Sequence, residues 1–401
     1  MRKNKTIKSI LLPLLIMALL ASGGGFCFSK TAEAKKKKSS VTKWQKLLEK
    51  NGVSESLWAK YKPKVSRNEY KKAVKALKKQ GTVSSGGSGS LGPNIKIGLF
   101  KLFGGDSGNQ KRIEVRSESG IEIKDKNGSV LKTLVAGEKN RVKADLANHD
   151  FSIKGRDAGN PDAYVDSGNY LTIEALNGGV IEIVDCNHQD SNEKKQNPNG
   201  CYASGSVEYN KFRGKLELSF NDDGTPWVID VLPLEQYTWG TGEVGSGLDK
   251  EYLKMFSVIF RTYGLFYTEH TKSIHKGQNF NLVDTSSDQV YKGYVIEERI
   301  SAMKDAAQLT RGEAVTYKGD TAITPYCSWT DGKTRDMKGY DYLKSVKDHK
   351  DGVKDGIEPG DDGNHMYGLS ANGARGWVKD GKDYKWVLKY YYTDVKVEGA
   401  Y

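Results

Sequence analysis

From Ile95 to about Asp230 the chain reads as short apolar stretches broken by Gly, Asn and Asp. IKIGLF, RIEVRS, IEIKD and YLTIEAL alternate or run apolar over strand-sized lengths, which predicts a β-rich region. The period then changes. Leu253, Phe256, Phe260, Tyr263 and Tyr267 recur at steps of three and four, placing one apolar face on a helix from Asp249 to His270. A second helix is predicted over Glu297–Leu309, strands over Ala314–Tyr317 and Ala322–Tyr326, a last helix over Tyr384–Tyr392 and a closing strand over Asp394–Glu398. The predicted fold class is α+β. No internal repeat of fixed period is present.

The first 94 residues have a different texture. Arg2, Lys3, Lys5 and Lys8 precede an apolar run, Ile10–Ala21, and Ala32-Glu33-Ala34 then offers small residues to a signal peptidase. The run is shorter than the ~20 apolar residues that a membrane span needs. Residues 1–34 are therefore expected to be a signal peptide, cleaved after Ala34, and the protein to be secreted, wall-bound or held at the outer membrane surface. Residues 35–80 suggest short basic helices, with Leu47, Leu48, Leu57, Trp58, Tyr70, Val74 and Leu77 at helical spacing and Ser66 with Glu69 as a capping box. Residues 81–94, opening with GTVSSGGSGS, suggest a linker. The remainder, 95–401, is expected to be one module.

Charge sharpens this division. The chain carries +12 overall, yet residues 1–80 hold 21 Lys and Arg against 4 Asp and Glu, leaving 41 against 46 beyond. The basic character belongs to the N-terminus. Segment 35–80, with 16 basic and 3 acidic residues, is expected to meet anionic wall polymer or lipid headgroups, because cationic segments concentrate polyanions. Nucleic acid is not an expected partner of an exported protein.

Cys186 and Cys201 flank a polar loop, and a disulfide between them suits an oxidising compartment, with both thiols reduced as the open alternative. Cys327 is left unpaired. No P-loop, HExxH or EF-hand loop occurs, and in GLSANG the residue Asn372 stands where a nucleophile elbow needs glycine. The stretch that carries chemistry is VLPLEQYTWGTGEVGSGLDKEYLKMFSVIFRTYGLFY from Val231. Glu243 sits in a glycine-rich turn before the long helix, and Gly240, Gly242, Gly245 and Gly247 would let backbone approach a bulky ligand. A solvated carboxylate near a helix start is the plainer reading of the same residue.

At PLEQY (from Pro233), GTGEV (from Gly240) and FRTYG (from Phe260) the chain resembles the stage II sporulation protein D family, which includes the LytB amidase enhancers. DTSSDQVYKGY from Asp284, GNHMYGLSANGARGW from Gly363 and VLKYYYTDVKVE from Val387 resemble three further family elements in the same order, and IKIGL at Ile95 matches the start of the module. The likeness covers roughly 95–400, with an enlarged β-rich region at about 140–210. Ala371 and Lys389 depart from the family's Gln and His, the turn before Glu243 is two residues short, and TDGKT from Thr330 replaces a Ser-Gly-Gly-x-Thr segment.

The resemblance implies lytic transglycosylase action on peptidoglycan glycan strands, with Glu243 as acid and then base. It leaves open a non-catalytic wall-binding protein that enhances a cell-wall amidase. Arg261 is expected to position substrate or Glu243. Tyr237, Trp239 and Trp329 would supply apolar walls and sugar-stacking faces, Gln289 and Tyr291 hydrogen bonds to sugar hydroxyls, and His365 and Ser370 further lining of the cleft. Some relatives hold zinc after the FRTYG helix. Here His270 and His275 have no nearby cysteine, so neither a metal nor another cofactor is expected.

Overall fold

The structure is a computed structural model that describes residues 90–102, 110–154, 164–186, 188–189, 200–361 and 364–401. The expected signal peptide, the basic segment with its capping box, and residues 81–89 of the linker lie outside the described residues. The chain divides at Ser90 into two units, and everything below concerns the second, Leu91–Tyr401.

That unit is α+β and rich in strands. A seven-stranded sheet runs in the order Leu282–Val283, Asn94–Lys101, Pro226–Pro233, Lys215–Phe220, Tyr170–Ala175, Ile121–Lys124, Val130–Leu134. All its pairings are antiparallel except that of Leu282–Val283 with Asn94–Lys101. A six-stranded antiparallel sheet is built from Lys211–Phe212, Ile181–Ile183, Gln110–Arg116, Asn140–Asp145, Asp150–Lys154 and Tyr164–Gly168. Strand Asn140–Asp145 alternates buried and half-buried positions, as expected of a strand with one face on the core. Pro226–Pro233 is buried along almost its whole length because it is central in its sheet and carries helices beyond its end.

Among the described residues there are six α-helices: α1 (Leu234–Gly240), α2 (Lys250–Glu269), α3 (Gly293–Arg299), α4 (Ser301–Leu309), α5 (Ala371–Lys379) and α6 (Tyr384–Tyr391). α2 starts where Asp249 caps it, accepting the Glu251 N–H at 2.7 Å. The sequence suggested one apolar face, but α2 is buried on nearly every side from Tyr252 to Tyr267. Its polar side chains are satisfied internally: Ser257 donates to the Leu253 carbonyl at 2.8 Å, and Thr262 accepts the Val315 N–H at 3.0 Å. A Cβ on Gly264 would lie 2.8 Å from Leu234 Cδ1, so glycine is what lets α1 cross close over α2.

Several expected elements are corrected. The predicted helix over Glu297–Leu309 starts earlier and is two helices, broken at Ile300. Ile296 of the first packs with Tyr202 and Tyr209, whereas Met303 and Ala306 of the second join the main core, so one straight helix could not bury both sets. The predicted strand Ala322–Tyr326 forms a ladder only at its end, in Tyr326–Cys327. Ahead of Pro325 the chain instead packs on α2, with Thr324 donating to the Ile259 carbonyl at 3.1 Å. The last strand is Lys396–Gly399, displaced because Asp394 has a φ of +55°. α1 and α5 were not anticipated. α5 is masked in sequence by Gly373 and Gly376, poor helix formers. Both are needed because a Cβ would collide with the Asp348 carboxylate at the first and the His349 ring at the second.

Cys186 and Cys201 are joined, with Cα atoms 5.8 Å apart, and Cys327 is a buried free thiol.

Candidate active site

α1 ends at Gly240 and the chain turns through Thr241–Leu248 before α2 begins. Segment 289–292 lies against this turn. Thr241 bridges to Tyr291, the Gly242 N–H donates to the Val290 carbonyl and the Lys292 N–H to the Gly240 carbonyl, both at 2.8 Å. This pairing fixes Glu243. Its Oε1 accepts the Val290 N–H at 2.7 Å, and its Oε2 accepts a short hydrogen bond from the Tyr326 hydroxyl. Burial pushes the Glu243 carboxyl above the usual carboxylate range, opposed in turn by the Tyr326 hydroxyl, the Val290 N–H and the Lys292 ammonium. Among the described residues, Lys292 is the one charged group that acts on it. Burial and the neighbouring Glu243 charge hold the Tyr326 phenol protonated, so it stays a donor.

Around this pair the polar groups form a chain. Tyr237, fully buried, donates to Gln289 Oε1 at 2.7 Å, and Gln289 Nε2 donates to the Tyr326 hydroxyl at 3.4 Å. Tyr291 stacks on Tyr237 with ring centroids 5.5 Å apart and donates to Asp230 at 2.8 Å. Tyr237, Gln289 and Tyr291 are thus the packed floor under Glu243. With exposures of 0 %, 0 % and 1 % they offer no face to a sugar, which corrects the expected binding roles. The glycines are revised too. A Cβ on Gly240 would meet the Tyr291 ring and one on Gly242 the Lys292 stem, so both serve packing within the protein, while Gly245 is open.

Arg261 is not at Glu243. It is wholly buried and pairs with Glu235 through two bonds of 2.8 and 2.9 Å, while donating to the carbonyls of Ala307 and Glu313. Glu235 also accepts the Gly312 N–H and the Tyr401 hydroxyl, each at 2.8 Å. PLEQY and FRTYG therefore meet in a structural ion pair.

Trp239 carries the Lys304 ammonium 4.9 Å from its ring centre. His365 is brought to the site. Its Nδ1 accepts the Tyr367 N–H at 3.0 Å, and the ring hydrogen-bonds the Tyr326 backbone, while burial lowers its basicity. Trp329 stays half-buried, with its backbone N–H donating to Asn364 Oδ1 at 3.0 Å. Ser370 is buried and caps α5, accepting the Gly373 N–H at 3.2 Å. Ser370→Ala is expected to lower stability by about 1 kcal/mol, the usual loss for an N-cap, with no change in the titration of Glu243. Urea unfolding and carboxyl NMR of the variant check this.

Sequence reading missed Tyr326 and Lys292. Lys292 lies inside the quoted DTSSDQVYKGY and could have been found there as the cation beside the turn. Tyr326 had no such signal, because it reaches Glu243 from a sequence distance of 83 residues. His275 hydrogen-bonds Asp288 at 2.6 Å, and Asp288 is held below the usual carboxylate range against its burial by His275 and Lys272. A cleft of about 770 Å³ at the far end of α2, lined by Phe266, Tyr317 and Tyr340 among others, contains none of the Glu243 partners.

This arrangement can hold one carboxyl group between its acid and base forms. Residues 222–317, which include Glu235, Glu243, Arg261, Gln289 and Lys292, match the family model described as stage II sporulation protein, SpoIID. Over 135 residues the chain is 26% identical to stage II sporulation protein D of Bacillus subtilis (strain 168), an alignment covering 30% of this chain and 39% of that relative. Motif order and both matches agree that this part of the chain is similar to the stage II sporulation protein D family, and the chain spans about two fifths of the length of the relative it matches.

Proposed function

We propose that the protein cleaves peptidoglycan glycan strands by a lytic transglycosylase mechanism centred on Glu243. The likeness to stage II sporulation protein D points to cell-wall remodelling in sporulation. The observation that carries the finer reading is the single carboxyl of Glu243, raised by burial yet served by two hydrogen-bond donors. Classical glycoside hydrolysis uses two carboxylates at a set separation. Transfer within the sugar needs one. Protonated Glu243 gives its proton to the glycosidic oxygen as the bond to C1 breaks. The resulting carboxylate then takes the proton of the sugar's own 6-hydroxyl as that oxygen bonds C1. The product is a 1,6-anhydro end, no water is consumed, and Glu243 ends protonated. Burial favours the acid form needed first, while Tyr326 and Val290 stabilise the carboxylate needed second.

The test is purified protein incubated with peptidoglycan and with peptide-free glycan strands, followed by mass analysis for anhydro-muramyl ends. Their formation supports cleavage. Stimulation of a wall amidase without such ends would replace it with the enhancer role.

In this proposal the protein works outside the membrane after cleavage at Ala34, and segment 35–80 holds it to anionic wall polymer or lipid headgroups. Binding of that segment to wall fragments is expected to weaken steeply between low and high salt, because the Debye length falls from about 30 Å at 0.01 M to about 3 Å at 1 M. Equal binding at both would remove charge as its cause.

A further inference from the structure

The strands Cys201–Ser204 and Val207–Tyr209 form a hairpin that closes on Gly205, whose φ is +58°. The hairpin is fixed at three points. Cys201 is bonded to Cys186, just beyond strand Ile181–Ile183 of the six-stranded sheet. The Tyr202 hydroxyl donates to the Asp284 carbonyl at 2.9 Å, and Tyr202 and Tyr209 pack on Ile296 of α3. The Lys292 ammonium lies over both rings, 5.3 Å from the centre of Tyr202 and 5.1 Å from that of Tyr209. Both distances are within the range of cation–π attraction. The Lys292 stem packs against Gly242, next to Glu243 in the chain.

We propose that Lys292 is a positioning residue for Glu243, and that the disulfide-anchored hairpin sets its place by holding the ammonium over Tyr202 and Tyr209. The proposal rests on Glu243 being the reactive carboxyl. A lysine on a flexible four-carbon stem would otherwise spread its charge over many rotamers and into water. Held over two rings and partly buried, it is a fixed cation. Among the described residues the groups acting on Glu243 are few: the Tyr326 hydroxyl and the Val290 N–H by hydrogen bonds, the Lys292 ammonium through its charge without a direct ion pair, and the Tyr202 and Tyr237 phenols near enough to feel its charge. Both phenols are kept neutral, first by burial. Of these, only Lys292 brings a positive charge, so its place adjusts how readily Glu243 gives up its proton, on top of burial and the two hydrogen bonds. The hairpin belongs to the enlarged region of the module, and this role gives that enlargement a use at the site.

The experiment follows the Glu243 carboxyl by carbon NMR of the full chain labelled at glutamate, the resonance being assigned by its loss in Glu243→Gln. In Lys292→Met, which keeps the stem and removes the charge, the midpoint should rise measurably above that of wild type, because a nearby positive charge favours the carboxylate. Lys292→Arg should stay near wild type. Cys186→Ala/Cys201→Ala and, separately, Tyr209→Leu should move the midpoint in the same direction as Lys292→Met and add nothing to it when combined. Tyr209→Leu leaves the disulfide intact, so the idea remains testable if the double cysteine variant does not fold. A wild-type midpoint in Lys292→Met would overturn the role of the lysine. A shift there with none in either hairpin variant would overturn the role of the hairpin. The readout needs no turnover, so a wild type that forms no anhydro ends would sink the cleavage reading while leaving this one standing or falling on its own.

Discussion

Glu243→Gln should remove glycan cleavage, by at least the about 10²–10⁴-fold that general acid–base catalysis contributes, while leaving the fold intact. The amide keeps the size of the side chain. Its oxygen can still accept the Val290 N–H, and its NH₂ can donate to the Tyr326 oxygen, which now turns its own hydrogen elsewhere. What it cannot do is exchange a proton, and one residue has to do so in both directions. Stability moves the other way. The folded-state pKa of Glu243 is raised, so the folded protein binds the proton more tightly than the unfolded chain. That contribution is present at low pH and is lost as pH rises from the ordinary carboxyl value of 4.5 through the raised value. As pH rises, the burial cost of the charged form is met by glutamate and not by the neutral amide, so the glutamine variant is expected to melt no lower than wild type at pH 7. Anhydro-end formation and thermal melts at pH 4 and pH 7 check both halves. A variant as active as wild type would remove Glu243 from the mechanism.

Arg261→Met should have the largest effect on stability, roughly 3–5 kcal/mol, without touching the chemistry directly. Glu235 and Arg261 are both fully buried, and the pair holds α1, α2 and the segment after α4 through the Gly312 N–H and the Ala307 and Glu313 carbonyls. Methionine fills much of the volume but leaves the Glu235 carboxylate buried without its cation. Urea unfolding should show the loss, and in the fraction still folded the Glu243 titration should be unchanged. A stable variant whose Glu243 midpoint moved would restore Arg261 to the site.

The two variants separate residues that look alike in sequence. Glu235, Glu243 and Arg261 all lie in one motif-bearing stretch, and chemistry by residue type would assign any of them to catalysis. Burial divides them. Glu235 and Arg261 spend their hydrogen-bonding capacity on each other and on backbone. Glu243 keeps partial exposure and, among the described residues, feels one cationic group, Lys292. Gln289 and Tyr291, expected at the sugar, are used up in the same way beneath it. Such outcomes depend on which atoms the fold leaves uncovered, and residue type and spacing do not report that.

Local pattern by itself determined a good deal. The strand texture up to Asp230, the long helix opened by Asp249 and the glutamate in the turn before it all follow from periodicity, capping and glycine placement, which act over a few residues. The stage II sporulation protein D likeness is likewise carried by short ordered motifs. Tertiary structure alone decided that α2 is buried all round, that α5 forms despite two glycines, and that Tyr326 rather than Arg261 holds Glu243. It also set a lysine, held over two tyrosine rings, near that carboxylate. In each case the deciding contact joins segments far apart in the chain, as Tyr326 and Glu243 are, and its energy comes from burial and hydrogen bonding that no local window of sequence contains.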